Sequence, residues 1–306
     1  MLSTDLREEL AAIAPKRRCC RLAELSALLH TSGAWHLRAG AVTVHLDLGN
    51  SSAVRRAFTL LRDEGVRSEV RTYRPPSFEQ ATRYQLHVAV EELALAVLRE
   101  AGVLSASGAP LPLPPKRVVG RSCCRAAYLR GAVLGAGSLS GPRDPHLELR
   151  AGTVEAARLF VDIAAREEVT LRVAARRNHA LAYAKGREAI GSLLALTGAG
   201  ETALRLEEDA VVAATRAEAN RLANADAANL VRAADAAHRQ LEAIDAVGLA
   251  DLPPDLAQIA ELRLRHPSAS LRELAAKARP PLTKATAKRR LDAIARLAES
   301  DSRRAI

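Results

Sequence analysis

Apolar and polar positions alternate through Val42-Thr43-Val44-His45-Leu46, the two-residue period of a strand with one buried face. This run belongs to a longer order. After Gly33 come two strand-like runs, Ala34–Arg38 and Ala41–Leu48, joined by Ala39-Gly40, then a helical stretch Ser51–Glu64. Strands near Val66–Tyr73 and Arg83–Val88 come next, then a helix over Glu91–Ala101. After Gly137 the same order returns. A short run to Ser140, a strand His146–Ala151, a helix Val154–Glu168, strands Val169–Arg176 and His179–Ala184 and a helix Gly186–Leu196 succeed one another. With a helix ahead of each series, each half reads αββαββα. Between the halves, Ala109–Lys116 carries Pro110, Pro112, Pro114 and Pro115, which exclude helix and predict a stiff connector.

The duplication is also visible residue by residue. Cys19-Cys20-Arg21-Leu22-Ala23-Glu24-Leu25, running on to Gly33, returns as Cys123-Cys124-Arg125-Ala126-Ala127-Tyr128-Leu129, running on to Gly137. A period of this length is an architectural repeat, to be read before any single element. Small residues at Ser26, Ala27, Gly131, Ala132, Gly135 and Ala136 would let the two leading helices approach closely about a pseudo-two-fold axis. The pattern resembles the LAGLIDADG homing-endonuclease fold, with Leu25–Gly33 and Leu129–Gly137 standing at its nine-residue motif. That resemblance places the family's metal-binding acidic residue just before the final glycine, where this chain has Ser32 and Ala136. Mg²⁺-type cations need anionic oxygen ligands, and two-metal phosphodiester cleavage needs them on both ions. A hydroxyl and a methyl do not supply them, so no catalytic residue, metal or cofactor is expected. His30, without carboxylate company, reads as structural.

From Leu252 the pattern changes to short helices. Pro253-Pro254-Asp255 opens one, with Leu256, Ile259, Ala260, Leu262 and Arg263 at helical spacing and Pro267 closing it. Ser270 and Glu273 form a capping-box pattern for a second, over residues 271–275. After Pro280-Pro281, Thr283 caps a third that runs to about Glu299. Ala287, Leu291, Ile294 and Ala298 form its apolar stripe, and Lys284, Thr286, Lys288, Arg289 and Arg290 lie largely off it. Supporting, positioning and recognition helices in this order are the layout of a helix-turn-helix, whose recognition helix meets base edges through its N-terminal residues. Ser270, Thr283, Lys284, Thr286, Lys288, Arg289 and Arg290 are the expected DNA-contacting set. Between the halves and this module, residues 201–250 are Ala-rich, helical and acidic. Asn220, Asn224 and Asn229 in one short stretch predict specific hydrogen bonds or local breaks there.

Composition narrows the class. The net charge of +10 suggests a polyanionic partner, with the densest basic run at Lys284, Lys288, Arg289 and Arg290. No apolar run reaches about 18 residues, so no membrane span is expected. The first 20 residues lack a continuous apolar core and read as a capped helix start, not a signal peptide. A cytoplasmic, nucleoid-associated protein is the expectation. The four cysteines form two adjacent pairs without the C-x2-C spacing of a zinc knuckle. They read as small buried residues in a helix's first turn, with a metal site built by both pairs together as the alternative.

Nearly the whole chain resembles the WhiA family of sporulation and cell-division regulators. The resemblance rests on Cys-Cys-x-x-Ala-Glu-Leu-Ser-Ala (Cys19–Ala27), Cys-Cys-x-x-Ala-Tyr-Leu-Arg-Gly-Ala (Cys123–Ala132) and Asn-Arg-Leu-x-Asn-x-x-x-Ala-Asn (Asn220–Asn229). Leu-x-x-Ile-Ala-Glu-Leu-Arg (Leu256–Arg263) adds to it. It implies an α+β chain: a degenerate LAGLIDADG-like domain over 1–200 (repeats about 19–105 and 123–198), an acidic helical connector over 201–250, and a helix-turn-helix domain over 251–306 (motif about 270–302). It further implies a non-enzymatic transcription regulator that binds double-stranded promoter DNA, with RNA polymerase or another regulator as candidate protein partner. The competing readings are a divergent divalent-metal endonuclease and a protein-interaction scaffold for polymerase or division proteins.

Overall fold

Two short helices lead into the first sheet of the computed structural model, which describes residues 2–38, 41–74, 82–89, 91–141 and 144–304. They are α1 (Leu2–Ala12) and α2 (Arg18–Ser32). Strands β1 (Gly33–Arg38) and β2 (Ala41–Leu48), helix α3 (Ser51–Asp63), strands β3 (Ser68–Tyr73) and β4 (Arg83–Val88) and helix α4 (Glu92–Glu100) complete the first repeat. The second is α5 (Ser122–Ala136), β5 (Gly137–Ser140), β6 (His146–Ala151), α6 (Val154–Ala165), β7 (Arg172–Ala175), β8 (Ala180–Lys185) and α7 (Arg187–Thr197). The expected αββαββα order is therefore present twice. The expected Ala39-Gly40 connection lies outside the described residues.

The two sheets share one topology. Their strand orders are β1-β2-β4-β3 and β5-β6-β8-β7, with every pair antiparallel. Equivalent helices are capped alike: the Asn50 side chain accepts from the Ser52 and Ala53 N–H groups at 2.8 and 3.2 Å, and Thr153 accepts from Ala156 at 3.2 Å. Each satisfies donors that the first helical turn leaves without an intrahelical partner. Alternation along β2 buries Val44, Leu46 and Leu48 and turns Thr43, His45 and Asp47 away from the core.

Helices α2 and α5 form the spine of this part, and small residues set their spacing. A Cβ on Gly131 would lie 2.3 Å from the Glu24 carbonyl oxygen, and one on Gly135 would lie 2.2 Å from Thr31 Oγ1. A larger residue at Gly131 would have to displace the backbone of α2, and one at Gly135 would have to move the Thr31 and Ser32 side chains. Ahead of the spine, α1 buries Leu6 and Leu10, and its Ser3 hydroxyl both donates to and accepts from the Leu139 backbone, at 2.8 and 2.7 Å. Glu9 accepts hydrogen bonds from the N–H groups of Glu201 and Thr202, at 2.8 and 2.9 Å, and so caps the next helix. The proline-rich connector folds back on the end of α4, where Leu111 N–H donates to Val103 at 2.8 Å.

That next helix, α8 (Gly200–Val247), is 48 residues long and unbroken. The breaks that Asn220, Asn224 and Asn229 predicted do not occur: all three are exposed, where an amide side chain can be solvated without disturbing the helical ladder. A local hydrogen bond does form, from Arg232 to the Asn229 side chain at 2.6 Å. The chain divides into compact units at Ala214/Thr215, so α8 begins in one and ends in the other. In the second unit, α9 (Pro254–Arg265), α10 (Leu271–Lys277) and α11 (Lys284–Arg304) surround their own core. Leu256, Ile259, Leu274, Ala287, Leu291 and Ile294 build it, joined by Ala243 and Ile244 from the end of α8.

Candidate nucleic-acid interface

The second unit holds α10 and α11 in place by a few directed bonds. Ser270 caps α10 in a complete capping box: its Oγ accepts from the Glu273 N–H at 3.3 Å, and the Glu273 carboxylate accepts from the Ser270 N–H at 2.7 Å. That backbone bond, with a smaller contribution from the one to the Ser270 side chain, holds the Glu273 carboxyl below the usual carboxylate range. The buried Arg263 of α9 donates to the Pro267 and Ala269 carbonyls at 3.2 and 2.6 Å and so pins the turn into α10. The turn out of α10 is closed by the Leu282 N–H on the Ala275 carbonyl at 2.9 Å.

Thr283 starts α11, its Oγ1 accepting from the Thr286 N–H at 3.1 Å and lying 2.9 Å from the Thr286 hydroxyl. The apolar stripe expected from periodicity faces the core: Ala287, Leu291 and Ile294 are buried, and Ala298 packs against them. Lys284, Lys288 and Arg289 are exposed along the N-terminal half, with Thr286 half-buried beneath them. Arg290 is placed differently. Its guanidinium turns toward α9, 3.7 Å from the Asp255 carboxylate and 3.4 Å from the Gln258 side-chain oxygen. Sequence periodicity puts it off the apolar stripe but cannot show that α9 supplies an acceptor there. Exposed Arg272, on α10, lines the same groove as Lys284 and is not singled out by the sequence pattern.

Ser32 and Ala136, where the resemblance would place metal-binding acids, lie at the C-terminal ends of α2 and α5. Ser32 Oγ donates to the Gly135 carbonyl at 2.9 Å, so its hydroxyl joins the two helices. Ala136 offers a methyl group. His30 is also committed, with Nδ1 2.8 Å from the Ser26 carbonyl and Nε2 3.2 Å from that of Leu111. Burial holds its imidazole below the ordinary histidine value, against the opposing pull of those carbonyls. These residues do not fit an Mg²⁺-type centre, which requires carboxylate oxygens. Glu24, earlier on α2, is fully buried but spoken for. It accepts from Arg56 at 2.7 and 3.3 Å and from Arg130 at 2.8 and 3.0 Å.

The solvent face of the first sheet mixes charges. Asp47 accepts from Arg83 at 2.9 Å and from the Tyr73 hydroxyl at 2.5 Å, and Glu69 pairs with Arg71 at 2.9 Å. These carboxylates engage two guanidinium groups that a phosphate backbone would otherwise meet. Among the described residues, one group of three or more metal-ligating side chains occurs, and it is the four cysteines. Cys20 and Cys124 are buried as expected of small residues in a helix's first turn, yet both pairs converge on one point. No described helix is long and apolar enough to cross a membrane.

A duplicated LAGLIDADG-like domain in series with a C-terminal helix-turn-helix defines the class of this chain. The WhiA N-terminal LAGLIDADG-like domain matches residues 18–104, the WhiA LAGLIDADG-like domain residues 125–216, and the WhiA C-terminal HTH domain residues 219–298. The probable cell division protein WhiA of Heliobacterium modesticaldum is 35% identical over 308 residues, covering 98% of this chain and 97% of the relative. That of Streptomyces coelicolor is 35% identical over 289 residues, covering 92% and 88%. The full-length WhiA crystal structure from Thermotoga maritima shares the fold, with a TM-score of 0.57 at 23% identity over 97% of each chain. The chain belongs to the WhiA family.

Proposed function

We propose that the chain is a sequence-specific transcriptional regulator of sporulation and cell division that binds duplex promoter DNA through α11 and does not cleave it. The observation that carries this reading is the N-terminal half of α11. It is capped by Thr283, braced by α9 and α10, and presents Lys284, Lys288 and Arg289 to solvent. Lysines there neutralise phosphates, and an arginine can pair bidentately with guanine in the major groove. Ser270, Thr283 and Thr286 position the helices and offer hydroxyls at the same edge. Arg290 takes a bracing role through Asp255 and Gln258. The division role draws its support from the names of the relatives, probable cell division proteins. Exposed Leu222, Leu230 and Val231 on α8 favour a protein partner as well, RNA polymerase or another regulator.

The test is binding of the full chain to promoter fragments across a salt series. Lys288→Ala is expected to weaken binding to all duplexes and to lower the slope of log affinity against log salt by about 0.9 for one phosphate contact. Arg289→Ala is expected to cost about 1–3 kcal/mol on the preferred sequence if it reads a base. Unchanged affinity and slope in both variants would overturn this placement of the interface. Supercoiled plasmid incubated with the same protein and Mg²⁺ or Mn²⁺ is expected to stay intact. Reproducible nicking would refute the loss of nuclease chemistry argued from Ser32 and Ala136.

A further inference from the structure

Adjacent cysteines make a poor metal motif in one dimension, because a single helix turn cannot surround an ion. Two helix starts facing each other can. Cys19 and Cys20 are the second and third residues of α2, and Cys123 and Cys124 are the second and third residues of α5. The duplication brings these two first turns together, and all four Sγ atoms lie within 4.8 Å of one another. Cys123 Sγ and Cys124 Sγ are 4.0 Å apart, so even neighbours in sequence point to one centre. A zinc ion bonded to four thiolates at about 2.3 Å sets its sulfurs about 3.8 Å apart. The cluster meets that spacing after side-chain adjustments of about an ångström or less. An iron–sulfur cluster spreads its four cysteine sulfurs around a polynuclear core and fits this tight group poorly.

The surroundings suit an anionic centre. Neither α2 nor α5 has a side-chain cap, since Arg17 and Arg121 stand at the N-cap positions. The positive ends of both helix dipoles lie at the first turns that carry the four cysteines. Arg17 Nη1 donates to Cys123 Sγ at 3.7 Å, a cation placed on sulfur. The neighbouring Arg18, Arg21 and Arg125 are instead engaged by the carboxylates of Glu64 and Glu167. Two thiols of the four are buried and two are half-buried, so an ion would be held largely from water yet have a way in. All four cysteines are free of disulfides.

We propose that Cys19, Cys20, Cys123 and Cys124 form a structural Zn²⁺-class site, tetrahedral and all-thiolate, that clamps the starts of α2 and α5 together. Binding converts each thiol to a thiolate, releases its proton to solvent, and involves no redox step. The site is closed, with four protein ligands and no open position, so it is a staple and not a catalyst. It lies at the opposite ends of α2 and α5 from Ser32 and Ala136 and is separate from any former nuclease centre.

Full-length protein purified under reducing conditions without chelator should carry about one zinc per chain by elemental analysis, as a tetrahedral four-cysteine site requires. Exchange into Co²⁺ should give the thiolate-to-cobalt charge-transfer band and the intense visible bands of a tetrahedral tetrathiolate. The double variant Cys19→Ser/Cys123→Ser, which changes the two half-buried thiols, should lose both the metal and the bands. Should that variant fail to fold, the Co²⁺ spectrum of the unaltered protein still decides the matter. Reduced protein that takes up no Co²⁺ with sulfur-ligand bands would overturn the proposal. So would four thiols found as two interhelix disulfides, or a cluster containing acid-labile sulfide.

Discussion

Glu24 has no exposed surface, and guanidinium groups from two different helices occupy both of its oxygens. A buried ion group of this kind contributes little net stability as a whole, but removing one member strands the rest. Glu24→Gln leaves Arg56 and Arg130 buried without a carboxylate to offset them. It is expected to destabilise the protein by about 3–5 kcal/mol, measured by urea unfolding; a loss below about 1 kcal/mol would mean that water reaches the cluster. His30 gives a second prediction at this scale. Burial lowers its pKa, so the unfolded chain binds this proton more readily than the native one. Its contribution to stability is full above the ordinary value of about 6.5 and is lost as pH falls below it, down to the folded value. A neutral ring can donate to only one of the carbonyls of Ser26 and Leu111, which is why those bonds pull the other way. Tm of the parent protein should therefore drop between about pH 7 and pH 5, and the His30→Gln variant should show a shallower drop. Equal slopes would remove His30 from the account.

At the scale of elements, α10 is seven residues long, too short to persist without its ends secured. Ser270→Ala removes the capping hydroxyl from the Glu273 N–H and should cost about 1 kcal/mol of stability. Because α10 positions α11, the same variant should weaken DNA binding without changing its salt slope. A changed slope would instead mean that the shift of α11 had altered how many phosphates its cations neutralise. Much of this element-level picture is legible in the sequence. Ser270 with Glu273, and the stripe Ala287, Leu291 and Ile294, are local patterns with local causes. Less legible is what a distant segment supplies: Asp255 and Gln258 draw Arg290 aside, and no periodicity within α11 reveals an acceptor on α9. The three asparagines of α8 mislead for a related reason. Propensity counts the cost of Asn in a helix but not the many good helix formers around it, which sum over a long segment.

For the whole molecule, duplication is the most readable fact, since Cys19–Gly33 and Cys123–Gly137 match in composition and each leads into the same order of strands and helices. Their convergence in space is not readable from either copy. A helix start looks the same whether it faces solvent or its twin, and only the pairing of α2 with α5 brings four sulfurs to one point. Absence of carboxylates at positions 32 and 136 is plain in the sequence, but the contact that Ser32 makes is not. Its bond to the Gly135 carbonyl changes what this pair of helices can tolerate. An interface built around a catalytic ion must preserve charge and reach, whereas one built on contact between backbones must preserve only thinness. Mutational freedom at this seam should thus be narrowest at Gly131, where a methyl group would meet the Glu24 backbone, and at Gly135, where it would press on the Thr31 and Ser32 side chains.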